Sequence, residues 1–114
     1  METCAKQYFY EINMVTPAGI RYGSLQLNVN QYDVSGYLEI LNHRNPVSGK
    51  ILKNGQCEFA GILVSLMRKL QYTAIGNFDS HSIQLLLKGE KNSYQLYGTA
   101  KIGGMDDGIY RNEK

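Results

Sequence analysis

Tryptophan is absent from this chain, and cysteine occurs only twice. Cys4 and Cys57 stand at no metal-ligand spacing, so neither a zinc site nor a disulfide framework is expected, and both are read as free thiols. Charge is sparse as well. Charged residues make up 19% of the chain and the formal net charge is +2, with Lys and Arg scattered, which argues against a nucleic-acid partner. No apolar run approaches the roughly 20 residues of a membrane-spanning helix, so membrane insertion is not expected. The opening Met1 to Lys6 has no charged region followed by an apolar stretch, and a cytoplasmic location is the default expectation. Apolar positions at helical spacing are also missing.

What is present is an alternation of period two through most of the 114 residues, with nine tyrosines carrying most of the aromatic content. A chain of this length supports one core, so a single domain is expected. Turn residues recur about every 8 to 14 positions, the signature of an antiparallel meander. The alternation predicts strands near 7–15, 20–30, 34–40, 49–53, 57–64, 70–78, 83–89 and 94–100. Thr16-Pro17-Ala18-Gly19 and Asn54-Gly55 read as hairpin turns, and 43–48 reads as a loop. Residues 1–100 are expected to form the folded domain, and 101–114, which have no period, a flexible tail.

Seven of the eight expected strands place a glycine in the same register as their large apolar residues: Gly23, Gly36, Gly49, Gly61, Gly76, Gly89 and Gly98. Glycine weakens a strand interior and marks a bend or a close backbone approach. Repeated around a sheet, it points to an all-β antiparallel up-and-down barrel of about eight strands, closed by small residues alternating with large ones. The same glycines would also hollow the interior for a small ligand. The segments Gly23-Ser-Leu-Gln-Leu, Gly36-Tyr-Leu-Glu-Ile and Gly61-Ile-Leu-Val resemble calycin-type meander barrels, the class that includes lipocalins and avidins. That resemblance implies a barrel over residues 7 to 100. Biotin binding is not implied, because the tryptophans that wall the avidin site have no counterpart, and the lipocalin Gly-x-Trp motif is missing.

Candidate ligand residues follow from the inner register. Tyr8, Tyr10, Tyr72 and Tyr94 fall near strand ends, where a phenol packs its ring and still reaches a hydrogen-bond partner; they either line a pocket mouth or plug it. Arg21 shares that register and would offer a guanidinium to an anionic head group. His43 and Arg44 sit on the expected loop, where binding residues collect. Asp79, Ser80 and His81 mimic a nucleophilic site only by composition, since adjacent turn residues rarely form such geometry. No catalytic residue, metal site or cofactor is therefore expected.

On the outward register, Ile62, Val64, Ile75 and Leu86 are apolar where a solvated wall should be polar, which points to an interface and to a homodimer. The leading functional expectation is a non-catalytic barrel that binds a small apolar or amphipathic ligand. Its rival is a structural or protein-interaction domain with a filled interior.

Overall fold

A computed structural model describes residues 6–54, 56–64 and 68–101. The proposed tail beyond Lys101, Cys4 and Gly55 of the Asn54-Gly55 turn lie outside those residues. Period-two alternation becomes eight strands: Lys6–Thr16 (β1), Gly19–Asn30 (β2), Asp33–Ile40 (β3), His43–Ile51 (β4), Cys57–Val64 (β5), Lys69–Phe78 (β6), Ser82–Lys88 (β7) and Ser93–Ala100 (β8). Each pairs antiparallel with the next, and β8 returns to β1 to close a barrel. Closure joins Tyr10–Val15 to Gln95–Ala100. Both strands there are hydrogen-bonded on two sides, which removes the edge along which a foreign strand could add.

The inner register is the core. Tyr10, Ile12, Leu27, Leu38, Ile83, Leu87 and Leu96 are essentially inaccessible to solvent, and each side chain of this size contributes roughly 1.5–3 kcal/mol through burial. The outer register carries mainly Ser, Gln, Asn, Thr and scattered charges. This polarity is the reverse of a barrel whose wall faces lipid. Among the described residues no helix is long and apolar enough to cross a membrane.

The glycines sit in this wall as spacers between large neighbours. Gly36 lies between Leu27 and Val47, and Gly49 between Val34 and Phe59. A Cβ at Gly36 would fall on the carbonyl oxygen of Gln26, and one at Gly49 on that of Glu58. At Gly23, Gly36, Gly49, Gly76 and Gly98 the space freed by glycine is thus occupied by a backbone carbonyl of the adjacent strand, and at Gly61 and Gly89 by the side chains of Tyr72 and Leu70. Tight curvature, rather than a hollow, is what these positions supply.

One expected element is corrected. Residues 43–48 are not a loop but the first part of β4, and the turn falls earlier, at Leu41 and Asn42, whose φ angles are 56° and 64°. Two consecutive left-handed residues make the tight hairpin that matches strand twist. Pro46 is tolerated because the β4–β5 ladder begins only at Val47, so its missing N–H removes no rung there. Asn45 closes the resulting split. Its side chain, 1% exposed, donates to the Leu38 carbonyl at 3.0 Å and to the His43 carbonyl at 3.3 Å, and accepts the Val64 N–H at 3.1 Å.

Candidate functional site

Among the described residues the lumen is packed. The void left among Leu25, Leu38, Phe59, Tyr72, Leu85 and Leu96 measures about 10 Å³, no more than a single water requires. At one mouth the rings of Tyr8 and Tyr10 stack with centroids 6.3 Å apart, Phe78 meets Tyr8 edge-on at 5.3 Å, and Phe59 backs Phe78 at 6.2 Å. The Tyr10 hydroxyl donates to the Asp79 carbonyl. Burial first, then the neighbouring Tyr8, Asp79 and Cys57, push that phenol far above its ordinary pKa. Tyr8 and Tyr10 plug this end of the barrel.

Tyr72 is buried midway along the wall opposite Gly61, and its hydroxyl oxygen would come within 2.7 Å of a Cβ at that glycine. Burial pushes its phenol up to about 12. Tyr94 is half-buried at the opposite mouth, paired with Leu87. The Cys57 thiol donates to the Gly76 carbonyl at 3.3 Å and is a free cysteine. Burial pushes it up to about 11, against the opposing pull of backbone hydrogen bonds.

The cationic candidates do come together, but outside the lumen. Arg21 is exposed near the start of β2, beyond the Ser24–Glu39 rung where the β2–β3 ladder stops. With His43 and Arg44 it lines an open notch between β2 and the β3–β4 hairpin. Arg44 is already engaged, with its guanidinium 4.0 Å from the Tyr37 ring centroid and its Nε 3.7 Å from Glu39. The Asp79 carboxylate accepts the backbone N–H groups of His81 and Ser82, which hold its pKa below the usual range. Ser80 Oγ and His81 Nδ1 stand 3.3 Å apart on the exposed turn. This grouping builds the β6–β7 turn.

Of the four outward apolar residues, Ile75 and Leu86 are direct cross-strand partners. Ile62 pairs instead with Gln71, and Val64 with Lys69. Gln71 is four residues from Ile75 along β6, about 13 Å, so the four do not form one patch. The row runs the other way: Leu86 faces Gln95, Gln95 faces Val15, and Val15 faces Ile20.

The next rows along the same strands frame a groove on the outer wall. Tyr22, Asn13, Tyr97 and Gln84 are successive partners across β2, β1, β8 and β7. Two residues further along each strand, Ser24, Glu11, Thr99 and Ser82 form a parallel row. Between the rows lies Gly23–Ile12–Gly98–Ile83, whose side chains are absent or point inward, so bare backbone makes the floor of a groove of about 720 Å³. Tyr22 is 73% exposed and Tyr97 41%. Ser24 Oγ donates to Glu39 at 3.4 Å; among the described residues, no other side-chain polar group of the two rows has a protein hydrogen-bond partner.

The visible sequence signal for this groove is an outward-register tyrosine in each of two strands, Tyr22 and Tyr97. What joins them is Asn13, the partner of both, and only β1–β8 closure creates that adjacency. No family model, curated protein or solved structure matches the chain.

Proposed function

We propose that the protein is a non-catalytic binding module that takes its ligand on the outer wall of a filled barrel, in the groove across β2, β1, β8 and β7. The carrying observation is the Tyr22–Asn13–Tyr97 row, in which two exposed rings flank a side-chain amide over a floor of bare backbone. A ligand inside the barrel would have to displace core side chains, at a cost of the order of several kcal/mol. The likeness to calycin-type barrels is therefore read as one of architecture and not of binding site.

The test is an amide chemical-shift screen of the isotopically labelled protein against mixtures of small polar and aromatic fragments. Perturbations clustered on 11–13, 22–24, 82–84 and 97–99 are expected. Perturbations confined to Leu25, Leu38, Phe59 and Leu85, or none at all, would overturn the reading.

A second reading is self-association as a homodimer through the outward row Ile75, Leu86, Gln95, Val15 and Ile20, favoured by the exposure of Ile75 at one end and of the neighbours Val15 and Ile20 at the other. Ile75→Asp together with Leu86→Asp should shift a dimer to monomer in sedimentation while the barrel stays folded. A wild-type chain that sediments as a monomer at high concentration would dismiss it.

A further inference from the structure

We propose that the outer groove binds an uncharged oligosaccharide, an inference that rests on the outer-wall reading above and names its ligand class. A sugar ring presents an apolar C–H face and a rim of hydroxyls, each both donor and acceptor. The groove offers the complement of both. Tyr22 and Tyr97 stand two strands apart, about 9–10 Å between backbone positions, far enough for separate sugar units to lie against each ring. Tyrosine provides such a surface at low conformational-entropy cost.

The hydroxyl rim is met by side chains held between and opposite the rings. Asn13 and Gln84 carry amides that donate and accept at once, Glu11 is an acceptor, and Ser24, Ser82 and Thr99 are hydroxyls. They are fixed at regular intervals by the ladder, since Asn13 pairs with both tyrosines and Glu11 with both Ser24 and Thr99. Apart from Ser24, their side chains make no hydrogen bond to protein among the described residues, so a polyhydroxylated ligand would give them partners.

Other ligand classes fit less well. A purely apolar molecule would cover Asn13, Gln84 and Glu11 without pairing them, and leaving such groups unmatched costs about 1–3 kcal/mol each. A polynucleotide would require a cationic track, whereas the groove carries Glu11 at its centre and a cation only at Lys101. A peptide adding as a strand needs a free sheet edge and finds none on β1 or β8.

The experiment is native electrophoresis of the full chain in gels containing soluble xylan, mixed-linkage β-glucan or galactomannan. Retardation of the wild-type protein by at least one of these polymers is expected. Tyr22→Ala and Tyr97→Ala should each weaken it ten-fold or more with the thermal midpoint kept within a few degrees. Tyr32→Ala, which removes an exposed tyrosine outside the groove, should leave it intact. No retardation in any gel, or retardation that survives the double substitution at Tyr22 and Tyr97, overturns the proposal. Should fragments still perturb the groove amides in that case, the saccharide falls while the outer-wall site stands. Fragments that perturb only the lumen remove both.

Discussion

The side-chain carbonyl of Asn45 on β4 accepts the backbone N–H of Val64 on β5 at 3.1 Å. This one contact ties two strands together beyond the point where their backbone ladder stops, while the amide nitrogen holds the Leu38 carbonyl of β3. A side chain thus replaces a missing rung on one face and reinforces the neighbouring hairpin on the other.

Asn45→Ala would leave the Val64 N–H and the Leu38 carbonyl without their side-chain partner in a buried setting. A loss of about 2–4 kcal/mol is expected. Urea unfolding gives the size, and hydrogen exchange at Val64 gives the place: that amide should lose protection more than those of β1 or β8. A loss under about 0.5 kcal/mol would show that water replaces the bridge.

The glycines make a graded prediction. At Gly36 a methyl group would meet the Gln26 carbonyl, which belongs to the ladder and cannot move aside; Gly36→Ala should cost about 3 kcal/mol or more, or prevent folding. At Gly89 the nearest atom is Leu70 Cδ1 at 2.8 Å, the end of a flexible side chain, and Gly89→Ala should cost about 1 kcal/mol. Thermal midpoints of the two variants settle the order, and the reverse order would contradict the backbone-filled wall.

The barrel was legible because every strand has one buried face, which fixes register: in β2, Gly23, Leu25, Leu27 and Val29 cannot exchange sides with Tyr22, Ser24 and Gln26 without exposing the core. β4 was harder to read. Pro46 and the polar pair Asn45 and Ser48 mimic a connection, and Leu41 in a left-handed conformation is an unusual turn residue that gives no local signal. The site was less legible still. Alternation shows that Tyr22 and Tyr97 point outward but not that they are neighbours, because that depends on which strands meet when the sheet closes. Packing likewise could not be read from register alone, since Tyr8 and Tyr10 have the same inward phase whether they line a pocket or plug it.

Alkaline pH should destabilise the fold through two buried groups whose protons the folded chain holds, the Cys57 thiol and the Tyr72 phenol. Cys57 and Tyr72 are neutral when protonated, and burial raises them from 9.0 to about 11 and from 10.0 to about 12. The folded chain keeps protons that the unfolded chain releases, so their contribution is full below pH 9 and is lost as pH rises through about 11 and 12. For Cys57 the loss is of the order of 2 kcal/mol. The urea midpoint should therefore fall between pH 9 and 11, and fall less steeply in Cys57→Ala. Equal slopes in the two proteins would show that the thiol is not the titrating group.

Tyrosine itself supplies the most direct test of binding outside a filled barrel, because Tyr10 and Tyr72 are buried in the interior while Tyr22 and Tyr97 stand on the wall. With ring-labelled tyrosine, resonances assigned by single Tyr→Phe substitutions can be followed by nuclear magnetic resonance during titration with a xylan- or mannan-derived hexasaccharide. The Tyr22 and Tyr97 rings should shift together and saturate together, while Tyr10 and Tyr72 stay in place. Shifts at Tyr10 or Tyr72 with Tyr22 and Tyr97 unmoved would contradict binding on the outer wall and return the binding site to the lumen.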